Sequence, residues 1–319
     1  MTEFLQHLVN GLSVGTIYAL VALGYTMVYG VLKLINFAHG DVYMVGAFGG
    51  YYFSQLLGVR GPFDENPPGA GEVFIQASLV TMGAMAICGL LGYVIERFAY
   101  RPLRHRARLT ALITAIGVSF LLEYGFQLAP WFRHPIEFPP GPSPRVFPTL
   151  LERVGYEVLG GVNISNYDII ALLVAFALMG MLQFIVYRTK FGTAMRAVSF
   201  DWQVAGLMGI PVNRIISGTF ILGSVLAAAA GIINAVARPK IEPLFGLIAG
   251  LKAFVAAVLG GIGNVPGAMV GGLVLGLAEE YVAGYTDSSY RDAIAFTVLI
   301  IVLLVRPTGL FGRVSVEKV

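Results

Sequence analysis

The stretch NGLSVGTIYALVALGYTMVYGVLKLINFAHGDVYMVGAFGGYYFSQLL, residues 10–57, decides the fold class. It is apolar almost throughout and contains two charged side chains, Lys33 and Asp41. An α-helix rises 1.5 Å per residue, so about 20 apolar residues cross a hydrocarbon core. The stretch therefore reads as two spans, Leu8 to Leu32 and Gly40 to Leu57, separated by INFAHGD at residues 35–41.

The same reading extends along the chain. Further spans are expected at 73–95, 109–130, 167–187, 215–237, 244–262, 265–283 and 293–305. The whole is an all-α, polytopic bundle of eight to ten spans, folded as one transmembrane domain over residues 1–319. Composition agrees. Of 319 residues, 57% are hydrophobic and 12% charged, about half the usual charge of a soluble domain. Mean hydropathy is +0.77. A soluble globule lacks the charges to cover its surface, and a disordered chain would not carry so much apolar surface. The first span is long and has no basic leader before it, so a cleaved signal peptide is not expected.

Orientation follows from the basic residues. Thirteen of the 21 fall in loops on one side: Lys33, then Arg97, Arg101, Arg104, Arg106 and Arg108, then Arg188, Lys190, Arg196 and Arg214, then Arg306, Arg313 and Lys318. Seven fall in the opposite loops: Arg60, Arg133, Arg145, Arg153, Arg238, Lys240 and Arg291. The first side is cytoplasmic and the C-terminus lies inside; nine spans place the N-terminus outside, and a broken or re-entrant segment would change that parity. Two outer loops are proline-rich. Residues 58–72 carry Pro62, Pro67 and Pro68; residues 131–166 carry six prolines, from Pro135 to Pro148, and are long enough to meet a soluble partner or to hold short strands.

Irregular backbone at membrane depth survives only where protein or a water-filled cavity surrounds it. Two interruptions are candidates. Asn36, His39, Gly40 and Asp41 break the first apolar region; on spacing alone they read as a short cytoplasmic turn, with a break lining a transport path as the alternative. GGIGNVPGAMVGG, residues 260–272, holds six glycines and Pro266. It reads as a tight hairpin deep in the protein or a pair of half-helices. It fits no phosphate-binding fingerprint, and no Gly-Lys-Ser/Thr occurs in the chain. Ionisable residues within spans are functional candidates: Glu123, Lys252, Glu279 and Glu280. Glu280 is expected in interfacial water. Lys252 either lines the path or snorkels, and a pair with Glu279 is conceivable.

The inner segment 188–214, RTKFGTAMRAVSFDWQVAGLMGIPVNR, is too patterned for a connector. Ala205, Leu207, Met208 and Ile210 form an apolar group between Asp201 and Pro211. A short surface helix with one apolar face fits, either docked in a partner's groove or packed beneath its own bundle. The lone Cys88 and four scattered histidines give no metal-ligand spacing. HExxH does not occur, and the one GxSxG string, Gly11 to Gly15, lies inside an apolar span and not on a strand-to-helix elbow, so an intramembrane enzyme is not favoured.

Several stretches, in order, are similar to the permease subunits of branched-chain amino acid ABC importers of the LivH type. They are residues 10–41, 191–210 (FGTAMRAVSFDWQVAGLMGI), 250–280 (GLKAFVAAVLGGIGNVPGAMVGGLVLGLAEE), 293–307 and TGLFG at 308–312. The resemblance implies an inner-membrane permease that moves Leu, Ile or Val and performs no covalent chemistry. It implies a coupling helix over residues 201–209, with Arg196, Asp201, Ala205, Gly206, Leu207, Gly209 and Ile210 at the ATPase contact. Phe200-Asp201-Trp202 departs from the acidic turn of many relatives. It also implies two ATPase subunits of the LivG and LivF type that hold ATP and Mg, a second permease of the LivM type, and a periplasmic binding protein. No cofactor is expected on this chain and no nucleic-acid partner. The expected pathway residues are Asn36, His39, Gly40, Asp41, Lys252, Gly261, Gly263 and Glu279. A urea or short-chain amide permease of the same family and an ion-coupled transporter are the alternatives.

Overall fold

The computed structural model describes residues 2–59, 68–104, 106–132, 137–158 and 161–312. Arg60, Pro62, Pro67, His105, Arg133, His134, Pro135, Arg313 and Lys318 lie outside them. The described chain is helical with four short strands. The helices are α1 (Thr2–Leu32), α2 (His39–Leu56), α3 (Ala70–Val94), α4 (Arg108–Phe126), α5 (Asn166–Arg188), α6 (Lys190–Phe200), α7 (Trp202–Leu207), α8 (Val212–Ala237), α9 (Phe245–Gly260), α10 (Val265–Tyr285) and α11 (Tyr290–Val305). A wide π-turn, Ile95–Tyr100, and a 3-10 turn, Arg101–Leu103, extend α3 beyond its regular end.

All nine expected spans are helices. Six of them, α1, α3 with its extension, α4, α5, α8 and α10, are long and apolar enough to cross a membrane. The other three are lesser. α2 carries His39 and Asp41 in its first turn, and α9 and α11 have 16 residues each. The sequence reading missed α6.

Burial separates the helices. Of the most apolar window of α1, 83% is buried, against 22% for α4 and 28% for α5. So α1 is the axis of the bundle, and α3, α4, α5 and α11 present apolar side chains outward. Close packing against α1 uses small residues at four-residue spacing, which let backbones approach. Gly11 and Gly15 face Leu277 and Leu273 of the antiparallel α10, where an added Cβ would stand 2.9 Å from each Cα.

The two ends of the bundle are distinct. At one, the start of α1 meets the loop before α5: Gln6 Nε2 donates to Asn163 O at 2.9 Å. The 131–166 loop carries β1 (Arg145–Val146), β2 (Gly155–Val158) and β3 (Val162–Ser165). β2 and β3 form a hairpin, and β1 pairs antiparallel with β4 (Lys240–Ile241). Ser165 and Asp168 close a capping box that starts α5. At the other end lie Lys33, the α3 extension, α6, α7 and residues 306–312. The crossing order puts the N-terminus opposite the basic end, as charge counting expects.

Candidate functional site

The interruption at residues 33–38 is not a solvated turn, contrary to the spacing argument. α1 ends at Leu32, and Lys33 takes a left-handed φ of 55° that reverses the chain. The chain then climbs back into the bundle. His39 packs against Gly24, eight residues before the end of α1, which is about 12 Å of helix. Asn36, His39 and Asp41 are 3%, 1% and 1% exposed. Protein replaces water around each polar group, as irregular backbone at this depth requires. Asn36 Oδ1 accepts from Tyr100 Oη at 2.9 Å. The His39 ring meets Tyr25 edge-on, with centroids 4.8 Å apart. Asp41 Oδ2 accepts from Ser119 of α4 at 2.5 Å. Glu123, also on α4, is buried, and its Oε1 has no partner among the described residues; nor has His39 Nε2.

A second re-entry comes from the opposite end. After α8 the chain forms β4 and turns inward, so that α9 starts within the bundle. Phe245 packs on Tyr43, with centroids 5.0 Å apart. The first turns of α2 and α9 meet glycine to glycine: a Cβ on Gly40 would stand 2.6 Å from Gly246 O and 2.8 Å from Gly250 Cα. Two half-length helices therefore begin at mid-depth and run to opposite ends. Their positive dipole ends converge there.

Lys252 and Glu279 do pair, at 3.1 Å, and Lys252 also pairs with Asp292 at 2.7 Å. Tyr18 Oη donates to Glu279 Oε2 at 2.9 Å. Lys252 does not snorkel; it ties α1, α9, α10 and α11 together. Glu280 is also not in water. It is 7% exposed, pairs with Arg291 at 2.7 Å and accepts from Asn10 at 3.3 Å.

The glycine hairpin lies at the basic end and not deep in the protein. α9 ends at Gly260, Gly261 and Gly263 take φ of 102° and 93°, and Asn264 caps α10 by accepting from Gly267 N at 3.0 Å. Residues 308–312 cover it, with Leu310 N donating to Leu259 O at 2.8 Å. Gly261 and Gly263 are thus turn residues, far along α9 from the half-helix junction.

The 188–214 segment forms two helices, α6 and α7. Asp201 caps α7, accepting from Gln203 N at 2.8 Å and Val204 N at 3.0 Å. Gly209, at φ 81°, ends it in the left-handed conformation, and Ile210 N bonds back to Ala205 O at 3.1 Å. The expected apolar group divides. Ala205 is buried and Ile210 half-buried against the core, whereas Leu207 and Met208 are 88% and 79% exposed. Phe200 and Val204, 95% and 53% exposed, complete the outward face; both stand in the sequence, but only the helix boundaries show that they share it. Arg196 folds back over Tyr187 and donates to Val186 O, so it closes the end of α5. Sequence reasoning also missed Glu96, the acid that immediately precedes the arginine run at 97–108 and is fully buried.

Comparison with known proteins adds a family. The profile described as branched-chain amino acid transport system / permease component matches residues 7–303. The high-affinity branched-chain amino acid transport system permease protein BraD of Pseudomonas aeruginosa is 44% identical, covering 99% of this chain and 98% of that protein. LivH of Escherichia coli K12, of the same description, is 41% identical over 99% and 98%. A probable LivH permease of Methanocaldococcus jannaschii is 27% identical over 92% and 88%. Among solved structures, PsaBC from Streptococcus pneumoniae is similar at a TM-score of 0.48 and 14% identity, over 97% of this chain and 94% of that one.

Proposed function

Since the chain belongs to the permease components of branched-chain amino acid transport systems, we propose that it moves Leu, Ile or Val inward as one subunit of an ATP-driven importer. Its setting is the bacterial inner membrane. Its partners are two ATPases of the LivG and LivF type, which hold ATP and Mg, a second permease of the LivM type, and a periplasmic binding protein that delivers the substrate to the outer end.

The observation that carries this reading is the exposed apolar face of α6–α7. Phe200, Val204, Leu207 and Met208 project from the basic end, and the chain has no nucleotide motif of its own. Covering such a face recovers the cost of exposing it. An ATPase seated there would transmit its closure through α6 to α5 and through Pro211 to α8. The proposed moving part is the half-helix junction, with Asn36, His39, Gly40 and Asp41 beside the route. Lys252 and Glu279 act as its brace, and Gly261 and Gly263 as the turn below it.

The test is affinity purification of the tagged chain in mild detergent, with mass spectrometry of what accompanies it. Two ATPases and a second permease are expected, and the binding protein encoded with them should bind Leu, Ile or Val in a direct titration. Binding of urea or a short amide instead would reassign the substrate. Recovery of the chain alone, where other ATP-driven importers survive, would overturn the assembly. The double variant Leu207→Ser/Met208→Ser should lose the ATPases and keep the second permease.

A further inference from the structure

The α3 extension carries an ion cluster that the transport reading does not use. Glu96 sits on the π-turn with its side chain fully buried. Both its oxygens are committed. Oε2 accepts from Arg101 at 2.8 Å and from Ser217 of α8 at 2.6 Å. Oε1 accepts from Arg101 Nε at 3.2 Å and from Arg104. One carboxylate thus holds two guanidinium groups and leaves one positive charge in excess. Arg104 goes on to donate from Nη1 to Asn213 Oδ1 at 2.7 Å, while its Nε has no partner among the described residues. The side chains of Arg101 and Arg104 are 22% and 10% exposed.

These two arginines form one wall of a pocket of about 430 Å³. Gln203 and Gly206 of α7, with Val212 and Asn213 of α8, form the facing wall. Trp202 completes the lining, and no acidic side chain lines it among the described residues. Its α7 wall continues into the exposed apolar face at Val204 and Leu207. Any protein seated on α7 would therefore cover the mouth of the pocket and desolvate Arg101 and Arg104. Burying an unbalanced charge costs several kcal/mol unless a counter-charge meets it. The planar fork of arginine is matched to a carboxylate.

We infer that this pocket receives an aspartate or glutamate side chain of the ATP-hydrolysing subunit, a contact separate from the apolar docking of α7. The inference rests on the reading of α6–α7 as the ATPase dock. Glu96 is its positioning residue: it sets both guanidinium groups against α8 and does not itself reach the pocket.

The test is Asn213→Asp. Asn213 is the second residue of α8, where a negative charge suits the helix dipole, and its Oδ1 already accepts from Arg104, so the fold is retained. The new carboxylate neutralises the pocket from within. Retention of the transporter's own ATPase subunits at near-physiological salt should fall about tenfold or more, the range for losing a desolvated charge contact. Gln203→Glu, which places the charge on the α7 wall, should do the same. Neutralising one acidic residue of the ATPase should restore binding to Asn213→Asp while weakening binding to the unaltered chain. Unchanged retention in both variants, with Leu207→Ser/Met208→Ser still releasing the ATPases, would overturn the pocket and leave the docking reading intact. Unchanged retention in all three would overturn both. Loss of co-purifying anionic phospholipid from Asn213→Asp with full ATPase retention would overturn the inference by assigning the pocket to a headgroup.

Discussion

The interruptions INFAHGD at residues 35–41 and GGIGNVPGAMVGG at 260–272 resemble each other in sequence: polar residues and glycines between apolar runs. They end in opposite surroundings. The first climbs back along α1 and starts α2 at mid-depth, with Asn36 and His39 buried. The second turns at the rim, with Gly263 exposed. The difference lies in what faces the break. Gly24, Gly246 and Gly250 leave room for the first to enter, and Tyr100 and Ser119 supply partners for its polar groups. The second has two residues with left-handed backbone, an asparagine cap at once behind it and residues 308–312 folded across it. Composition marks a break; the helices around it set its depth.

That comparison can be broken most forcefully at Gly40. In Gly40→Val the new Cβ would meet the Gly246 carbonyl and the Gly250 backbone, which cannot yield as a side chain can. Overpacking costs typically 1–3 kcal/mol where side chains can shift, and about that or more is expected here. Assembled protein in the membrane, read by fluorescence-detected size exclusion, should be lost. Survival of a fully assembled, transporting variant would mean the α2–α9 contact is loose.

Lys252 comes next, because it pins α9 between the two breaks without touching either. Lys252→Met strands Glu279, 2% exposed, beside Tyr18. A loss of about 3 kcal/mol is expected, the range for removing one member of a buried pair. Adding Glu279→Gln should recover part of the lost thermal stability. If the double variant is no more stable than the single, the pair does not act as a brace.

The smallest effect belongs to the rim. Gly263→Ala meets nothing closer than 4.0 Å, and its cost is the backbone alone at φ 93°. A loss of about 1–2 kcal/mol is expected, with uptake unchanged once the protein is folded. A transport defect at normal stability would show that the hairpin takes part in the cycle and would weaken its contrast with the buried break.

The charged groups give the same lesson. The pairing of Lys252 with Glu279 was legible as a possibility, since both are costly inside spans. Its third member, Asp292, was not, because it stands at the start of a helix whose packing no local pattern specifies. The position of Glu280 near a span end points to water, yet Asn10 and Arg291 enclose it. Glu96 hid beside an arginine cluster that dominated the charge count. In each case the missing information was a partner distant in sequence.

What the sequence determined by itself is the class of molecule, the approximate position of the apolar helices, the basic side of the bundle and the presence of an inner helix between Asp201 and Pro211. These follow from transfer free energy, basic-residue asymmetry and capping chemistry, all of which act within a few neighbouring residues. Tertiary structure alone decided which break enters the bundle, which acids are buried, and how α7 divides its apolar residues between Ala205 inside and Leu207 and Met208 outside. Those depend on close approach between helices far apart in the chain, where a single Cβ at Gly40 or Gly246 would forbid the contact that fixes the depth.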